Sequence, residues 1–185
     1  MRVISGTARG TKLESLEGLS TRPTIDRVKE GIFSSIQFVV PGAKILDLFA
    51  GSGQMGIECL SRGALKGVFV DSNKDAVNIV IKNIKACGLF DKARVVNMTA
   101  QDYLRTSKDE FDIIFLDPPY NMGILDEILE NVYQITAPGG IILAESELGW
   151  APKTEIEGLE MVKQYKYGKV FVTKFQKEND IWKKL

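Results

Sequence analysis

Hydrophobic residues along this chain form short unbroken runs that alternate with segments in which they recur every three or four positions. The runs predict strands buried on both faces, and the recurring pattern predicts amphipathic helices. The predicted strands cover residues 44–49, 66–70, 93–97, 111–116 and 141–145. A helix is predicted between each strand and the next. This alternation favours an α/β fold with a doubly wound, mostly parallel sheet and right-handed crossovers.

The two ends of the chain have other patterns. Residues 159–167 and 169–176 are rich in β-forming residues with no helix between them, which predicts a C-terminal antiparallel hairpin. Residues 1–13 predict a second small hairpin, which turns near residues 6–10 and exposes Arg9 and Lys12. A helix is predicted to follow from Thr24, with Arg27 and Lys29 on its outer face. We therefore expect an N-terminal extension over residues 1–42 and a sheet domain over residues 43–185.

A glycine-rich loop follows the first predicted strand, in the sequence DLFAGSGQMG. Strand, glycine loop and helix form the start of a nucleotide-binding unit, because loop amides and a helix N-terminus can cradle a ligand. Residues 51–56 fit the dinucleotide fingerprint GxGxxG, which alone is a weak signal. The alternative is the cradle for S-adenosylmethionine (SAM), in which an acidic residue such as Asp47 precedes the glycines. A cationic sulfonium tolerates nearby carboxylates better than a pyrophosphate does.

Carboxylates are predicted at the carboxyl ends of successive strands, where open α/β sheets bind ligands. Asp71 ends the second strand and is placed to accept from both ribose hydroxyls of an adenosine cofactor. Asp102 follows the third strand and is a candidate acceptor for the adenine amine. The predicted cofactor-binding residues are Asp47, Ala50, Gly51, Ser52, Gly53, Asp71, Ser72, Asp102 and Asp117.

The tetrapeptide DPPY directly follows the fourth predicted strand. The Asp117 carboxylate and the Pro118 carbonyl can both accept from one amino group. Pro119 removes a second backbone donor and stiffens the loop, and the Tyr120 ring offers a flat face for a base. These four residues are the predicted catalytic residues, and together they would hold an amine that is conjugated into a ring.

Composition and charge exclude several kinds of protein. The 185 residues include no histidine, which excludes histidine-based triads and argues against a zinc centre. No segment has the apolar length of a membrane span. Cys59 and Cys87 fall in predicted helices and are typical of core residues in a reducing compartment, so we expect a cytoplasmic, metal-free protein. The net charge is +3 over residues 1–29, −7 over 30–159 and +4 over 160–185. The basic N-terminal part suits a phosphate backbone. Its candidate contacts are Arg2, Arg9, Lys12, Arg22 and Arg27.

Several motifs together resemble a known family. DLFAGSG and DPPY are similar to the amino-methyltransferases of the class I SAM-dependent, Rossmann-like fold. GTARGTKL followed by RPTIDRVKEGIF resembles the RsmD-like family, which methylates a guanine N2 in small-subunit (16S) ribosomal RNA. The similarity continues to the late YGKVFV and covers nearly the whole chain. This resemblance implies SAM as cofactor, and ribosomal RNA, free or in an assembling small-subunit particle, as partner.

Three alternatives remain open at the level of sequence. DNA adenine-N6 methyltransferases also use DPPY, although they normally carry a target-recognition domain for which this chain has little room. A nicotinamide-dependent oxidoreductase would use the GxGxxG fingerprint, but it has no comparable use for DPPY. A non-catalytic RNA-binding protein could retain the cradle. A cofactor titration would distinguish the oxidoreductase from a methyltransferase, because SAM should bind and NAD should not. A turnover measurement would distinguish the non-catalytic protein from an enzyme.

Overall fold

The structure is a computed structural model that describes residues 1–16, 24–119, 123–153, 155–168 and 170–179, with only the backbone of residues 24–27. Its helices are α1 (Thr24–Ile36), α2 (Gln54–Ser61), α3 (Lys74–Ala86), α4 (Ala100–Thr106) and α5 (Ile124–Gln134). Its strands are β1 (Lys44–Asp47), β2 (Lys66–Asp71), β3 (Ala93–Asn97), β4 (Phe111–Leu116), β5 (Thr136–Glu147), β6 (Leu159–Tyr167) and β7 (Val170–Lys177).

One seven-stranded sheet has the order β3-β2-β1-β4-β5-β7-β6. Strands β1 to β5 pair in parallel, and β7 inserts antiparallel between β5 and β6. Both the mostly parallel α/β sheet and the C-terminal antiparallel hairpin that the sequence predicts are confirmed. Apolar residues cover both faces of the central strands, which is why these strands have unbroken hydrophobic runs.

The two faces of the sheet carry separate hydrophobic clusters. One contains Ile45, Phe69 and Phe115 and extends to Val3 in the N-terminal segment. The other contains residues of the opposite parity on the same strands, packed against α4 and α5. Because successive strand residues point to opposite faces, buried residues of one parity on the central strands pack in one cluster and those of the other parity pack in the other.

Strand β5 begins earlier than the sequence predicts. The sequence predicts that Pro138-Gly139-Gly140 turns into a strand that starts at Ile141. In the structure Phe111 pairs with Thr136 and Ile113 pairs with Ile141, so the intervening residues form an irregularity within the strand. Gly139 accommodates it with a φ of 75°. The physical reason is that extra residues in one strand of a pair can bulge out without ending the ladder.

The N-terminal segment, residues 1–16, packs on the sheet domain and contributes to its core. Arg2 and Lys12 form an antiparallel bridge, as the predicted hairpin requires. The prediction for Lys29 is wrong, because its side chain is 1% exposed rather than on the outer face of α1. Its Nζ donates to the Arg2 carbonyl at 2.8 Å. No helix in the described ranges is both long and apolar enough to cross a membrane.

Candidate functional site

The carboxyl ends of β1, β2, β4 and β5 lie along one edge of the sheet. The direction of the strand order reverses at β1, because β2 and β3 lie on one side of it and β4 and β5 on the other. Sheets of this type bind ligands in the crevice outside such a switch point. The structure brings three predicted carboxylates together there. Asp47 and Asp71 end β1 and β2, and Asp117 directly follows β4.

Asp47 is buried and caps α2 from the preceding strand. Its Oδ2 accepts from the Gly56 amide at 3.1 Å, which satisfies one of the amides that the first turn of a helix leaves unpaired. Burial raises the pKa of Asp47 to about 7, the Gly56 amide opposes this increase, and the charge of Asp71 adds to it. A nearby cation would therefore favour the ionised form of this carboxyl.

Two glycines of the loop have different physical roles. Gly51 has a φ of 54° and donates its amide to Asp71 Oδ2 at 2.8 Å, and a Cβ added there would meet no atom within 4 Å. A Cβ on Gly56 would instead collide with the ring of Phe69 in β2. Gly51 thus leaves an open surface for a ligand, whereas Gly56 lets α2 pack closely on the sheet.

The rest of the loop is tightly turned and tied to α3. The Gly53 amide donates to the Ala50 carbonyl at 2.6 Å, and the Ala50 amide donates to the Val70 carbonyl of β2 at 3.0 Å. The Ser52 carbonyl accepts from Asn83 Nδ2 of α3 at 2.9 Å. Ala50, Ser52 and Gly53 therefore lie where the sequence predicts the cradle.

Asp71 retains capacity for further donors. Its Oδ2 accepts from Gly51, and its Oδ1 accepts from the Asn73 amide at 2.8 Å. Each carboxylate oxygen has two lone pairs, so each can accept one more hydrogen bond. The Nδ2 of Asn97, at the end of β3, donates to the Asp71 carbonyl at 2.9 Å and to the Ser72 carbonyl at 3.1 Å, which fixes the turn that presents this carboxylate.

Asp102 lies in the first turn of α4 with both carboxylate oxygens engaged. Thr99 Oγ1 donates to Asp102 Oδ2 at 2.9 Å, and Arg105 Nη2 donates to Asp102 Oδ1 at 2.6 Å. The Asp102 side chain is 49% exposed. Its contact with an adenine amine stays a prediction, and such a ligand would compete with Arg105 for the carboxylate.

The Asp117-Pro118-Pro119 turn closes the β4 side of the crevice. Desolvation by the surrounding protein, followed by the charges of Glu145 and Asp47, raises the pKa of Asp117 above its usual value. Asp117 is nevertheless exposed to solvent, so water screens these charges, and the rise in its pKa is smaller than full burial would give. Pro118 is buried and Pro119 is exposed. Tyr120, the last predicted catalytic residue, lies outside the described residues.

A buried carboxylate that the sequence did not single out anchors the N-terminal segment to α2. Glu58 is fully buried and accepts from the Ile4 amide at 2.8 Å and the Ser5 amide at 2.9 Å. Arg62 Nε lies 2.8 Å from its Oε1, and Lys29 Nζ lies 3.5 Å from its Oε2. No local pattern indicates this role, because the amides come from residues more than fifty positions away.

Asn83 connects the same segment to the glycine loop. Its Oδ1 accepts from the Glu14 amide at 2.8 Å, and its Nδ2 donates to the Glu14 carbonyl at 3.0 Å and to the Ser52 carbonyl. Asn83 is 1% exposed, so these bonds are shielded from water. The ends of the N-terminal hairpin thus lie beside the candidate cofactor loop.

Three of the predicted RNA-contacting residues are visible on this segment. Arg2, Arg9 and Lys12 are all exposed. Arg2 and Lys12 face each other across the bridge, and Arg9 lies in the turn at the other end of the hairpin. The neighbouring Met1 contacts the glycine loop, because its Sδ accepts from Ser52 Oγ at 3.4 Å. Arg22 lies outside the described residues, as does the side chain of Arg27.

A family model described as Conserved hypothetical protein 95 matches residues 1–176. The chain belongs to this family. The resemblance seen in the sequence is thereby confirmed.

Two relatives and one solved structure match this chain over most of their own length. Ribosomal RNA small subunit methyltransferase D of Escherichia coli (strain K12) is 37% identical over 151 residues, covering 80% of this chain and 75% of that protein. YlbH of Bacillus subtilis is 39% identical over 182 residues, covering 96% and 99%. The solved structure of yhhF from Escherichia coli has a TM-score of 0.86 at 32% identity and covers 97% of this chain and 98% of that chain.

Within the part of the chain that the structure describes, no cluster of acidic residues and cysteines has the arrangement of a metal site. Cys59 is buried and Cys87 is half-buried, and both are free thiols. Desolvation raises the pKa of each thiol, so neither has the properties of a reactive thiolate.

Replacing Asp71 with alanine is expected to weaken SAM binding in a folded protein. The change removes the partner of the Gly51 amide and the acceptor that the sequence predicts for the ribose hydroxyls, and each charge-assisted hydrogen bond contributes roughly 1.5–3 kcal/mol. Isothermal titration calorimetry measures the dissociation constant, and Asp109→Ala, which breaks an exposed ion pair with Arg94, is the matched control. An unchanged dissociation constant in Asp71→Ala would remove this residue from the site.

Proposed function

We propose that this protein transfers a methyl group from SAM to the exocyclic N2 amine of a guanine in small-subunit (16S) ribosomal RNA. The observation that carries the proposal is the placement of the glycine loop after β1 and the Asp117-Pro118 turn after β4. These strands are neighbours, so a methyl donor in the loop and an amine at the turn would meet at the switch point of the sheet.

The residues of the crevice fit SAM. The open surface at Gly51 and the remaining acceptor capacity of Asp71 suit the ribose of an adenosine ligand. The carboxyls of Asp47, Asp71 and Asp117 suit a sulfonium and an ammonium group. Gln54 Oε1, at the start of α2, is a buried acceptor with no partner in the described part of the chain, and a bound donor would satisfy it.

The same residues disfavour a dinucleotide. A pyrophosphate binds to the free amides at the N-terminus of a helix. In α2 the Gly56 amide already donates to Asp47, and that carboxyl would lie close to the phosphates. The phosphates of a nicotinamide dinucleotide would therefore be repelled by the Asp47 carboxylate, whereas the cationic SAM would not be.

The protein contributes mainly positioning to the proposed reaction. SAM would supply the methyl group: the amine nitrogen bonds to the methyl carbon as the carbon–sulfur bond breaks, S-adenosylhomocysteine leaves as a neutral thioether, and the methylated amine loses one proton to water. The Asp117 carboxylate and the Pro118 carbonyl would accept hydrogen bonds from the target amine, which orients its lone pair towards the cofactor loop. This kind of approximation is worth about 7–11 kcal/mol. A base must leave its helix or be unpaired to reach the turn.

We further propose that residues 1–42 act as the RNA-contacting extension of a methyltransferase domain spanning residues 43–185. Arg2, Arg9 and Lys12 provide exposed positive charge beside an acidic sheet domain. The bonds through Asn83 and Glu58 hold the segment in a fixed position, so that RNA bound there would extend towards the crevice. Ribosomal RNA sites are reached in the cytoplasm, which is the location we propose.

A methyl-transfer assay tests the proposed function. Small-subunit RNA and small-subunit particles are incubated with labelled SAM, and the modified nucleoside is identified by mass spectrometry. We expect N2-methylguanosine. N6-methyladenosine in a DNA substrate would support the rival methyltransferase activity, and the absence of transfer with intact SAM binding would support a non-catalytic role.

Neutralising Arg9 and Lys12 together is expected to weaken RNA binding and reduce its salt dependence. Each lost phosphate contact lowers the slope of log affinity against log salt by about 0.7–0.9. Filter binding across a salt series measures both quantities. The control neutralises Lys44 and Lys66, which are exposed at the start of β1 and β2 and are not part of the N-terminal segment. If affinity and slope in the Arg9 and Lys12 variant equal those of the control, the hairpin has only a structural role.

A further inference from the structure

A cavity of about 300 Å³ lies beside the Asp117-Pro118-Pro119 turn. Its wall is formed by the turn, the start of α5 and the segment that continues β5. Pro118, Pro119, Leu125 and Trp150 supply apolar surfaces to it. Its size is at the lower end of the range of small-molecule sites, about 300–1,000 Å³, which suits a single flat ring system.

The end of β5 brings three polar side chains to this cavity, Glu145, Ser146 and Glu147, and the first two lie nearest to the Asp117 end of the strand pairing. Leu116 and Ala144 are paired on adjacent parallel strands, so Asp117 and Glu145, which follow them, are neighbours at the carboxyl edge. The charge of Glu145 also acts on the Asp117 carboxyl, which agrees with this proximity. A guanine amine held by Asp117 would therefore have a second carboxylate beside it.

Among the described residues, Ser146 supplies an unpaired hydroxyl group in the lining of the cavity. The residue is 4% exposed, and its Oγ has no hydrogen-bond partner in the described ranges of the chain. Buried polar atoms are almost always paired, and an unpaired one costs about 1–3 kcal/mol. A group that enters the cavity and accepts a hydrogen bond would pair with this hydroxyl.

The bases differ in what they present next to their amine. Beside its N2 amine guanine has an N1–H donor and then the O6 acceptor, whereas adenine and cytosine have a ring-nitrogen lone pair beside their amine. Two neighbouring carboxylates accept hydrogen bonds and cannot donate them when ionised. The two carboxylates therefore complement a base with two adjacent N–H donors, and they repel a base that has a ring-nitrogen lone pair beside its amine.

We propose that Glu145 and Ser146 select guanine as the target base: Glu145 accepts from N1–H beside the amine held by Asp117, and the Ser146 hydroxyl donates to O6. This proposal rests on the proposed function, because it names the groups that choose the base for the same methyl transfer. Pro118, Leu125 and Trp150 would contact the faces and edges of the ring.

The test uses 2-aminopurine at the guanine position that the wild-type enzyme modifies in small-subunit RNA. This base keeps the 2-amine but lacks N1–H and O6. Wild-type enzyme is expected to methylate guanine at least about 100-fold faster than 2-aminopurine, because the analogue leaves buried polar groups unpaired. In Glu145→Gln the side-chain amide can donate to the bare N1, so the preference should fall at least about tenfold.

Ser146→Ala gives a separate signature. It should slow methylation of guanine by about tenfold, through loss of one hydrogen bond, and leave the rate on 2-aminopurine unchanged because that base has no O6. Glu155→Gln, at an exposed position after the cavity segment, is the control and should alter neither rate. The fluorescence of 2-aminopurine reports entry of the base in any variant that is too slow to assay.

The outcomes separate the two proposals. If the wild-type enzyme modifies no guanine, the proposed function fails. If it makes N2-methylguanosine but Glu145→Gln keeps the wild-type preference, and Ser146→Ala affects both bases equally, Glu145 and Ser146 do not select the base. Unchanged SAM affinity in both variants would show that altered rates arise in the base cavity.

Discussion

Replacing Asp117 with alanine is expected to lower the single-turnover rate of methyl transfer by about 10²–10⁴-fold at saturating SAM. The carboxylate would be the side-chain acceptor that orients the target amine, and the Pro118 carbonyl alone cannot fix the direction of its lone pair. SAM affinity should change much less, because the contacts proposed for the ribose come from Asp71 and the glycine loop, which this substitution leaves intact. Rapid-quench kinetics with RNA in excess measures the rate, and calorimetry measures cofactor affinity.

Asp117→Asn distinguishes the charge of this side chain from its shape. The amide oxygen still accepts one hydrogen bond, so this variant should lose only about tenfold in rate, the difference between a charged and a neutral acceptor. Because the pKa of Asp117 is raised, the wild-type rate should increase with pH as the carboxyl ionises, and this increase should be absent in Asp117→Asn. A wild-type single-turnover rate in Asp117→Ala would make the turn merely structural.

Replacing Glu58 with glutamine is expected to destabilise the protein by about 3–5 kcal/mol, although glutamine has nearly the same shape. Glu58 and Lys29 are 0% and 1% exposed, so the change removes a charged partner of a buried ammonium group in a site from which water is excluded. It also removes one of the two acceptors for the Ile4 and Ser5 amides. Urea unfolding followed by circular dichroism measures the free energy of unfolding.

Two further variants identify the cause. Glu14→Gln removes an exposed carboxylate paired with Lys82, and should cost no more than about 1 kcal/mol. Lys29→Met combined with Glu58→Gln should recover part of the loss, because neither buried charge remains. If Glu58→Gln unfolds at the same urea concentration as Glu14→Gln, the buried ion pair contributes nothing to stability.

The order of strands and helices could be predicted from sequence because it depends on local patterns. Buried parallel strands require unbroken apolar runs. The positions after β1 require glycine because a side chain there would be strained or would collide with its neighbours. Asp47, Asp71 and Asp117 could be placed at one edge because each follows such a run. The same rule applies to Glu145, which ends the predicted fifth strand, but without the cavity nothing indicated its importance.

The contacts of the N-terminal segment could not be predicted. Glu58 lies in a helix whose neighbouring positions are apolar, and its partners Ile4 and Ser5 come from a distant part of the chain. Lys29 has the spacing of an exposed helical residue, yet it is buried because Glu58 and the Arg2 carbonyl satisfy its ammonium group. Tertiary pairing overrides the local preference of lysine for solvent.

The buried carboxyl of Asp47 has a consequence for the heat of cofactor binding. Its pKa of about 7 lies above the usual value of 3.8, so the unliganded fold is favoured at low pH and loses this contribution as pH rises from about 4 through 7. A cationic ligand favours the ionised form, so near neutral pH binding would release a proton to the buffer. The chain contains no histidine to titrate in the same range. The enthalpy measured by calorimetry would therefore include the ionisation enthalpy of the buffer. Its slope against that ionisation enthalpy, across several buffers, would give the number of protons that the aspartates release.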